Sequence, residues 1–305
     1  MPPDWLTVAP EVADALAAGR PVVALESTLI SHGLPWPANA DTARRAEAAV
    51  REGGAVPATV AVLAGRPTVG LTDAQLDQLA KADGVLKASR RDLGAAVGLK
   101  QTAGTTVSAT MALAHAAGVR VFATGGIGGA HRRADPSHPF DLSADLVELS
   151  RTPVLVVCAG AKSLLDLPQT LELLEMLGVP VLGYRTDEFP AFYTQGGGGP
   201  VSGRVETAAE AAAVFAAHVR MGGGGAILAQ PVDASLAVPA DVFAAALQQA
   251  ESEAAAGGVT GGKLTPFLLG RLAELTGGRT LAANQALILA NARLAAEVAA
   301  ATSGR

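Results

Sequence analysis

At 305 residues and 50% hydrophobic composition, the chain can bury a large core as one large or two small domains, and it is no disordered tail. Charged residues make up 17% and the net charge is -5 without a basic block, which excludes nucleic-acid backbone binding but leaves a phosphorylated small molecule as a partner. The single cysteine, Cys158, forbids an intrachain disulfide, and no Cys/His spacing suits zinc. Residues 1–5 carry no basic region followed by an apolar core, and no run of about 18 apolar residues occurs. The expectation is a cytoplasmic protein with no signal peptide and no membrane contact.

Strands and helices alternate along the chain. Residues 22–25 read as a strand, 39–51 as a helix with Ala43, Ala46, Ala49 and Val50 on one face, and 60–63 as another strand. Thr72 caps a helix running to residue 82, with Asp73 in its first turn. Val85-Leu86 leads into Lys87, 106–117 is a helix of small residues, and 119–123 is a strand. A helix beginning near Ser143 runs to Leu149. The apolar run 154–157 is a buried strand broken by Gly160, and Ser163 opens the helix that continues through 170–177. Residues 179–182 and 226–229 are strands and 208–221 a helix. From 239 onward the chain is helical in three segments, broken near Gly257-Gly258 and Gly277-Gly278. This alternation predicts α/β with a largely parallel sheet, over one domain spanning 1–305.

Several residues at these junctions could carry chemistry. Lys162 follows the strand 154–157, at the carboxyl edge of the sheet, where open α/β folds place ligands. A desolvated amine there is a nucleophile toward a sugar carbon; the plainer reading is a rim lysine that only binds phosphate. Glu26 ends the strand 22–25 beside Ser27-Thr28 and could deliver a proton, or simply cap a turn. Lys87, Arg90 and Arg91 place three cations within five positions, suited to phosphate or to a solvated face. Thr124, Gly125 and Gly126 open a turn with Gly128 and Gly129, followed by His131 and Arg132. Its backbone N–H groups can face an anion, or it is a bare turn. Asp135, Asp141, Asp145 and Glu148 offer oxygen ligands for Mg²⁺ or Mn²⁺, with Asp141 and Asp145 on one face if helical; alternatively Ser143 caps a helix whose first turns hold the acids. Asn284 and Asn291 lie seven apart, and each could read a base edge or join helices.

Taken in order and spacing, these motifs are specific. The chain resembles the pseudouridine-5'-phosphate glycosidases along nearly its whole length. The resemblance rests on Ala24-Leu25-Glu26-Ser27-Thr28-Leu29-Ile30-Ser31-His32-Gly33, Lys87-Ala88-Ser89-Arg90-Arg91-Asp92-Leu93, and Thr124-Gly125-Gly126-Ile127-Gly128-Gly129. It continues through residues 141–145, Gly160-Ala161-Lys162-Ser163, the run 184–192, Thr265-Pro266-Phe267-Leu268-Leu269, and Leu281-Ala282-Ala283-Asn284. It implies a three-layer α/β/α fold with a helical C-terminal region, a homotrimer, and reversible cleavage of a C–C glycosidic bond to give uracil and ribose 5-phosphate. It implies Lys162 as the nucleophile forming an imine with the sugar C1, Glu26 as proton donor, and Asp141 as the Mn²⁺ ligand. It further implies Lys87, Val107, Ser143, Ala144 and Asp145 as substrate contacts, with His131, Asn284, Thr124, Gly125 and Gly126 near the substrate. The loop Gly196 to Gly199 departs from the family pattern.

Chemistry agrees with that implication. A C–C bond to uracil offers no heteroatom to protonate as a leaving group, so a two-carboxylate glycosidase mechanism suits it poorly. An imine at C1 supplies an electron sink instead. Two rivals use the same residues: another imine-forming sugar-phosphate lyase or aldolase, and a non-catalytic nucleotide-binding regulator.

Overall fold

The computed structural model describes residues 2–33, 36–132, 141–259 and 264–303. The main sheet runs in the order Thr7–Val8, Arg66–Val69, Val56–Leu63, Val22–Leu25, Val121–Ala123, Leu155–Cys158, Ala226–Ala229, Val181–Tyr184, Gly203–Val205. From Val56–Leu63 to Gly203–Val205 every neighbouring pair is parallel. Leu25 lies opposite both Thr59 and Ala123, and Cys158 opposite Ala229, so the carboxyl ends of the central strands are level. Residues 26, 124 and 159–162 therefore emerge at one edge. Off this path, Ala103–Thr105 pairs antiparallel with Val56–Leu63 and parallel with Leu86–Ala88, which carries Lys87 to the same region.

Alternation along each strand divides the core. Val23, Leu25, Leu155 and Val157 face one apolar cluster, and Val22, Ala24, Val156 and Cys158 the other. The first is covered by Ala38–Glu52 through Ala46, Ala49 and Val50, by Ala208–Arg220 through Phe215, and by the C-terminal helices Ala240–Ala256, Leu264–Leu275 and Arg279–Ser303. The second is covered by Pro10–Ala17, Val107–Ala117, Ala144–Arg151 and Leu167–Met176. Strands buried on both faces between two helical layers make the three-layer α/β/α arrangement expected. Alanine and glycine bring the layers close: a Cβ on Gly53 would sit 2.5 Å from that of Ala296 on the last helix.

Most predicted elements are present within a residue or two, including the Thr72-capped helix Asp73–Lys81, in which Thr72 Oγ1 accepts from Gln75 N at 3.3 Å. The departures have local causes. Val56–Leu63 is twice the predicted 60–63 because Pro57 lies inside it, where a missing N–H argues against a strand. Ser163 does not open a helix. The chain first makes the short strand Leu165–Asp166, and Asp166 then caps Leu167–Met176 by accepting from Gln169 N at 3.0 Å. The short pieces Pro10–Ala17, Arg66–Val69, Ala103–Thr105 and Gly203–Val205 were not expected from periodicity, since each is too brief to show a period.

Candidate active site

The Lys162 loop and the glycine turn are joined backbone to backbone. Thr124 N donates to Val157 O at 3.0 Å, Ala159 N to Gly125 O at 2.9 Å, Ile127 N to Gly160 O at 3.1 Å, and Lys162 N to Ile127 O at 3.0 Å. Gly160 has φ +84°, and a Cβ there would overlap the carbonyl oxygen of Pro190, so only glycine lets the two segments meet. Lys162 leaves this zipper half-buried.

Its side chain lines a cleft of about 1020 Å³, counted out to its mouth, together with Glu26, Lys87, Thr124, Gly125, Gly126 and Asn284. Seven of the predicted site residues thus converge on one cleft from segments far apart in sequence. Each carboxylate oxygen of Glu26 accepts one hydroxyl, Oε2 from Thr28 and Oε1 from Thr124, which fixes the plane of the group. Lys87 retains exposed surface, but its amine faces the crowded cleft. Loss of hydration holds it below the usual lysine range, the positive charge of Lys162 pushes it further down, and Glu26 and Asp145 pull it back. Two amines and a carboxylate are therefore electrostatically one unit.

His32 also lines the cleft, from the π-turn Leu29–Gly33, with its Nδ1 2.7 Å from Ser31 Oγ. Burial first, then Lys87, lowers its tendency to hold a second proton, against a bond to the Val85 carbonyl. It stands inside a motif quoted above but was passed over because a lone histidine carries no spacing signal. Phe192, Tyr193, Leu164 and Ile288 were missed as well. They form an apolar wall: a Cβ on Gly126 would lie 2.6 Å from the Phe192 ring, and one on Gly125 within 3.5 Å of both Phe192 and Ile288.

The remaining predicted site residues do not line this cleft. Val107 is 1% exposed and packs in the core beneath it. Asp145 is buried; its Oδ1 accepts from Ser108 N and its Oδ2 from Gly128 N, both at 2.9 Å. It clamps the start of Val107–Ala117 to the glycine turn. Ser143 caps Ala144–Arg151, as one of the two readings held, by accepting from Asp145 N at 3.2 Å. Asp141 precedes that helix, so it shares no helical face with Asp145; its carboxylate is 69% exposed and 3.2 Å from His131 Nδ1. Asp135 lies outside the described residues, as do the side chains of Thr265 and Pro266.

Other parts of the sequence reading are divided by the structure. The cation run splits: Lys87 enters the cleft, Arg90 pairs with fully buried Glu148 at 3.3 Å, and Arg91 lies exposed beside Asp92. In the glycine turn, the N–H groups of Ile127, Gly128 and Ala130 are already bonded within the chain, the last to Thr170 Oγ1 at 3.0 Å. Gly128 and Gly129 admit Ser143 and Thr170 at distances a Cβ would forbid, so their role is close packing. Asn284 lines the cleft, whereas Asn291 is buried beneath the turn and donates to Thr124 O at 2.8 Å. Cys158 is a buried thiol pushed up to about 12 by loss of hydration, which removes it from nucleophilic chemistry.

Among the described residues no three His, Cys, Asp or Glu side chains converge on a metal position. The exposed Asp141 carboxylate fits a hard divalent ion that keeps most of its water, not a protein cage.

Amine, carboxylate and a second cation in one largely apolar cleft, at the carboxyl edge of a parallel sheet, mark an α/β/α protein with a small-molecule site. Comparison with known proteins narrows the class. The family Indigoidine synthase A like protein matches residues 11–301. A pseudouridine-5'-phosphate glycosidase of Sorangium cellulosum (strain So ce56) is 53% identical over 98% of this chain and 94% of its own. One of Jannaschia sp. (strain CCS1) is 54% identical over 96% and 97%. Among solved structures, the prealnumycin C-glycosynthase AlnA in complex with ribulose 5-phosphate superposes with a TM-score of 0.91 at 41% identity, covering 99% of this chain and 98% of that one. An indigoidine synthase A-like protein from Thermotoga maritima gives 0.87 at 34%, with the same coverage. The chain belongs to the Indigoidine synthase A like family, with the pseudouridine-5'-phosphate glycosidases.

Proposed function

We propose that this protein cleaves the C–C glycosidic bond of pseudouridine 5'-phosphate to uracil and ribose 5-phosphate, and catalyses the reverse. The observation that carries this reading is the convergence of Lys162, Glu26 and Lys87 in one cleft, in a chain more than half identical to enzymes of that name.

The chemistry follows from the groups present. The sugar ring opens by breaking C1'–O4', with a proton going to O4'. The Lys162 nitrogen bonds to C1' through its lone pair and then gives up a proton, matching the one gained by O4', so that it again carries a lone pair. Glu26 delivers a proton to uracil C5, the C1'–C5 bond breaks, and the nitrogen lone pair forms the C=N bond of an imine. Water then adds to the imine carbon and frees the lysine and the aldehyde of ribose 5-phosphate. Glu26 is oriented for the proton by Thr28 and Thr124. Lys87 shares the cleft with Lys162 and supplies charge toward the phosphate. Asp141 would hold a hydrated Mn²⁺, which supplies further positive charge to an anionic substrate. His131 would contribute to binding from the rim, while Val107, Ser143, Ala144 and Asp145 would support the cleft from behind its lining by holding the glycine turn and the helix starts in place.

A homotrimer and a cytoplasmic location complete the proposal. No helix among the described residues is long and apolar enough to cross a membrane.

The test is direct. Purified protein incubated with pseudouridine 5'-phosphate should release uracil, and borohydride with ribose 5-phosphate should leave a reduced sugar on Lys162. Lys162→Ala should abolish both. Uracil release at an unchanged rate by that variant would remove the covalent step.

A further inference from the structure

The mechanism above uses the charged part of the cleft and leaves its apolar wall without a task. That wall turns on Phe192 and Tyr193. Phe192 has φ +66°, a left-handed conformation rare for an aromatic residue, and strain of this kind persists where surroundings over-determine it. Here they do: Phe192 N donates to Ala159 O at 3.1 Å, and Gly160 admits the Pro190 carbonyl so closely that no Cβ fits between. The corner is thereby fixed to the loop that carries Lys162, three residues from the nucleophile.

Tyr193 is set by this corner. Its ring meets Phe192 edge-on at 4.7 Å and Phe243 at 5.7 Å, and Val238 N donates to its carbonyl at 2.9 Å. The residue is 2% exposed and lines the cleft, yet its hydroxyl makes no hydrogen bond to any described residue. Burial alone drives its phenol upward, so it stays a neutral donor. Among the described residues the fully enclosed side-chain atoms without a partner are His218 Nε2 and Asn291 Oδ1, so the Tyr193 hydroxyl keeps access to the space beside it, where a ligand atom can partner it. Tyr193 belongs to the apolar cluster with Leu164 and Ile288, which gives this part of the cleft an uncharged lining. A neutral planar ring with polar edges fits this wall. Asn284, also in the cleft, makes no hydrogen bond to any described residue either.

We infer that the Tyr193 hydroxyl donates a hydrogen bond to a pyrimidine carbonyl, and that the Phe192–Tyr193 corner is the wall that selects and orients the base. The inference rests on the proposed function and adds the residue that makes the site specific for a pyrimidine.

Tyr193→Phe removes the hydroxyl and keeps the ring, so packing against Phe192 and Phe243 survives. In the direction of bond formation, the KM for uracil should rise about 10- to 100-fold, the loss expected when one buried donor to a ligand is removed. The KM for ribose 5-phosphate and the yield of borohydride trapping on Lys162 should stay within about twofold, which a loosened fold would not permit. An unchanged uracil KM overturns the inference, and so does an equal loss in uracil binding and sugar trapping. Wild-type protein that traps no ribose 5-phosphate overturns the functional reading itself, and shows it before any variant is made.

Discussion

Asp145→Asn separates a clamp from a ligand contact with almost no change in shape. The wild-type carboxylate sits at 5% exposure and accepts from Ser108 N and Gly128 N, each at 2.9 Å. Hydrogen bonds to a charged acceptor contribute about 1.5–3 kcal/mol each. Asparagine keeps one acceptor oxygen and turns an NH₂ toward the other backbone N–H, so one bond is lost and the second loses its charge. We expect a loss of about 2–4 kcal/mol, and a fall in Tm of roughly 3–6 °C for a chain of this size. Urea denaturation followed by circular dichroism measures it, with the uracil-release assay run well below the new midpoint. There kcat should fall more than the KM for pseudouridine 5'-phosphate rises, because the glycine turn carries Thr124 and hence Glu26. An unfolding midpoint equal to wild type, with a large rise in that KM, would show that Asp145 spends its oxygens on the substrate and would refute the clamp.

Three other outcomes are expected. Burial and Lys87 hold the protonation of His32 below the ordinary imidazole value of 6.5, so the unfolded chain binds the proton first as pH falls. Stability from this residue is complete above 6.5 and is lost below it; His32→Gln should show a shallower drop in urea midpoint between pH 7.5 and 5.5, and an identical slope would discount the effect. Gly160→Ala forces a Cβ onto Pro190 O at φ +84° and should cost about 2–5 kcal/mol from backbone strain plus overpacking, with a lower denaturation midpoint; a midpoint at the wild-type value would contradict the close approach. Asp141→Ala should weaken Mn²⁺ binding, read from the paramagnetic resonance signal of the free ion as well as from activity, and unaltered binding would place the metal elsewhere.

The chain of inference from sequence to site worked where a polar residue ends an apolar run. Glu26, Thr124 and Lys162 each follow a strand, and level carboxyl ends in a parallel sheet bring such residues together without further information; Lys87 reaches them from within the side strand Leu86–Ala88. It failed where function depends on what a side chain meets across the fold. Asp145 reads as a metal or substrate ligand because acids stand near it, yet the N–H groups it satisfies belong to residues 17 and 37 positions away. Arg90 reads as a phosphate contact until Glu148, 58 positions away, takes it. Tyr193 lies in an aperiodic stretch, and nothing local signals that Phe192 adopts a left-handed backbone that turns the next ring inward. Periodicity encodes layers; it does not encode contacts made by loops.

Thr124 shows how the C-terminal helix reaches the chemistry. Its N–H donates to Val157 in the sheet, its hydroxyl to Glu26, and its carbonyl accepts from Asn291 of Arg279–Ser303. Asn291 is 1% exposed, and its Oδ1 finds no partner among the described residues, so the amide is held for its donor alone. A buried acceptor left unpaired costs free energy that an apolar residue of similar size would avoid. Retaining asparagine at this position is accounted for by the register of the turn, since Thr124 cannot hold the Glu26 carboxylate unless its own carbonyl is fixed from the opposite side. The last helix thus closes the apolar layer over the sheet and sets the angle at which the acid meets the base. It presents Asn284 and Ile288 to the cleft from the same turns.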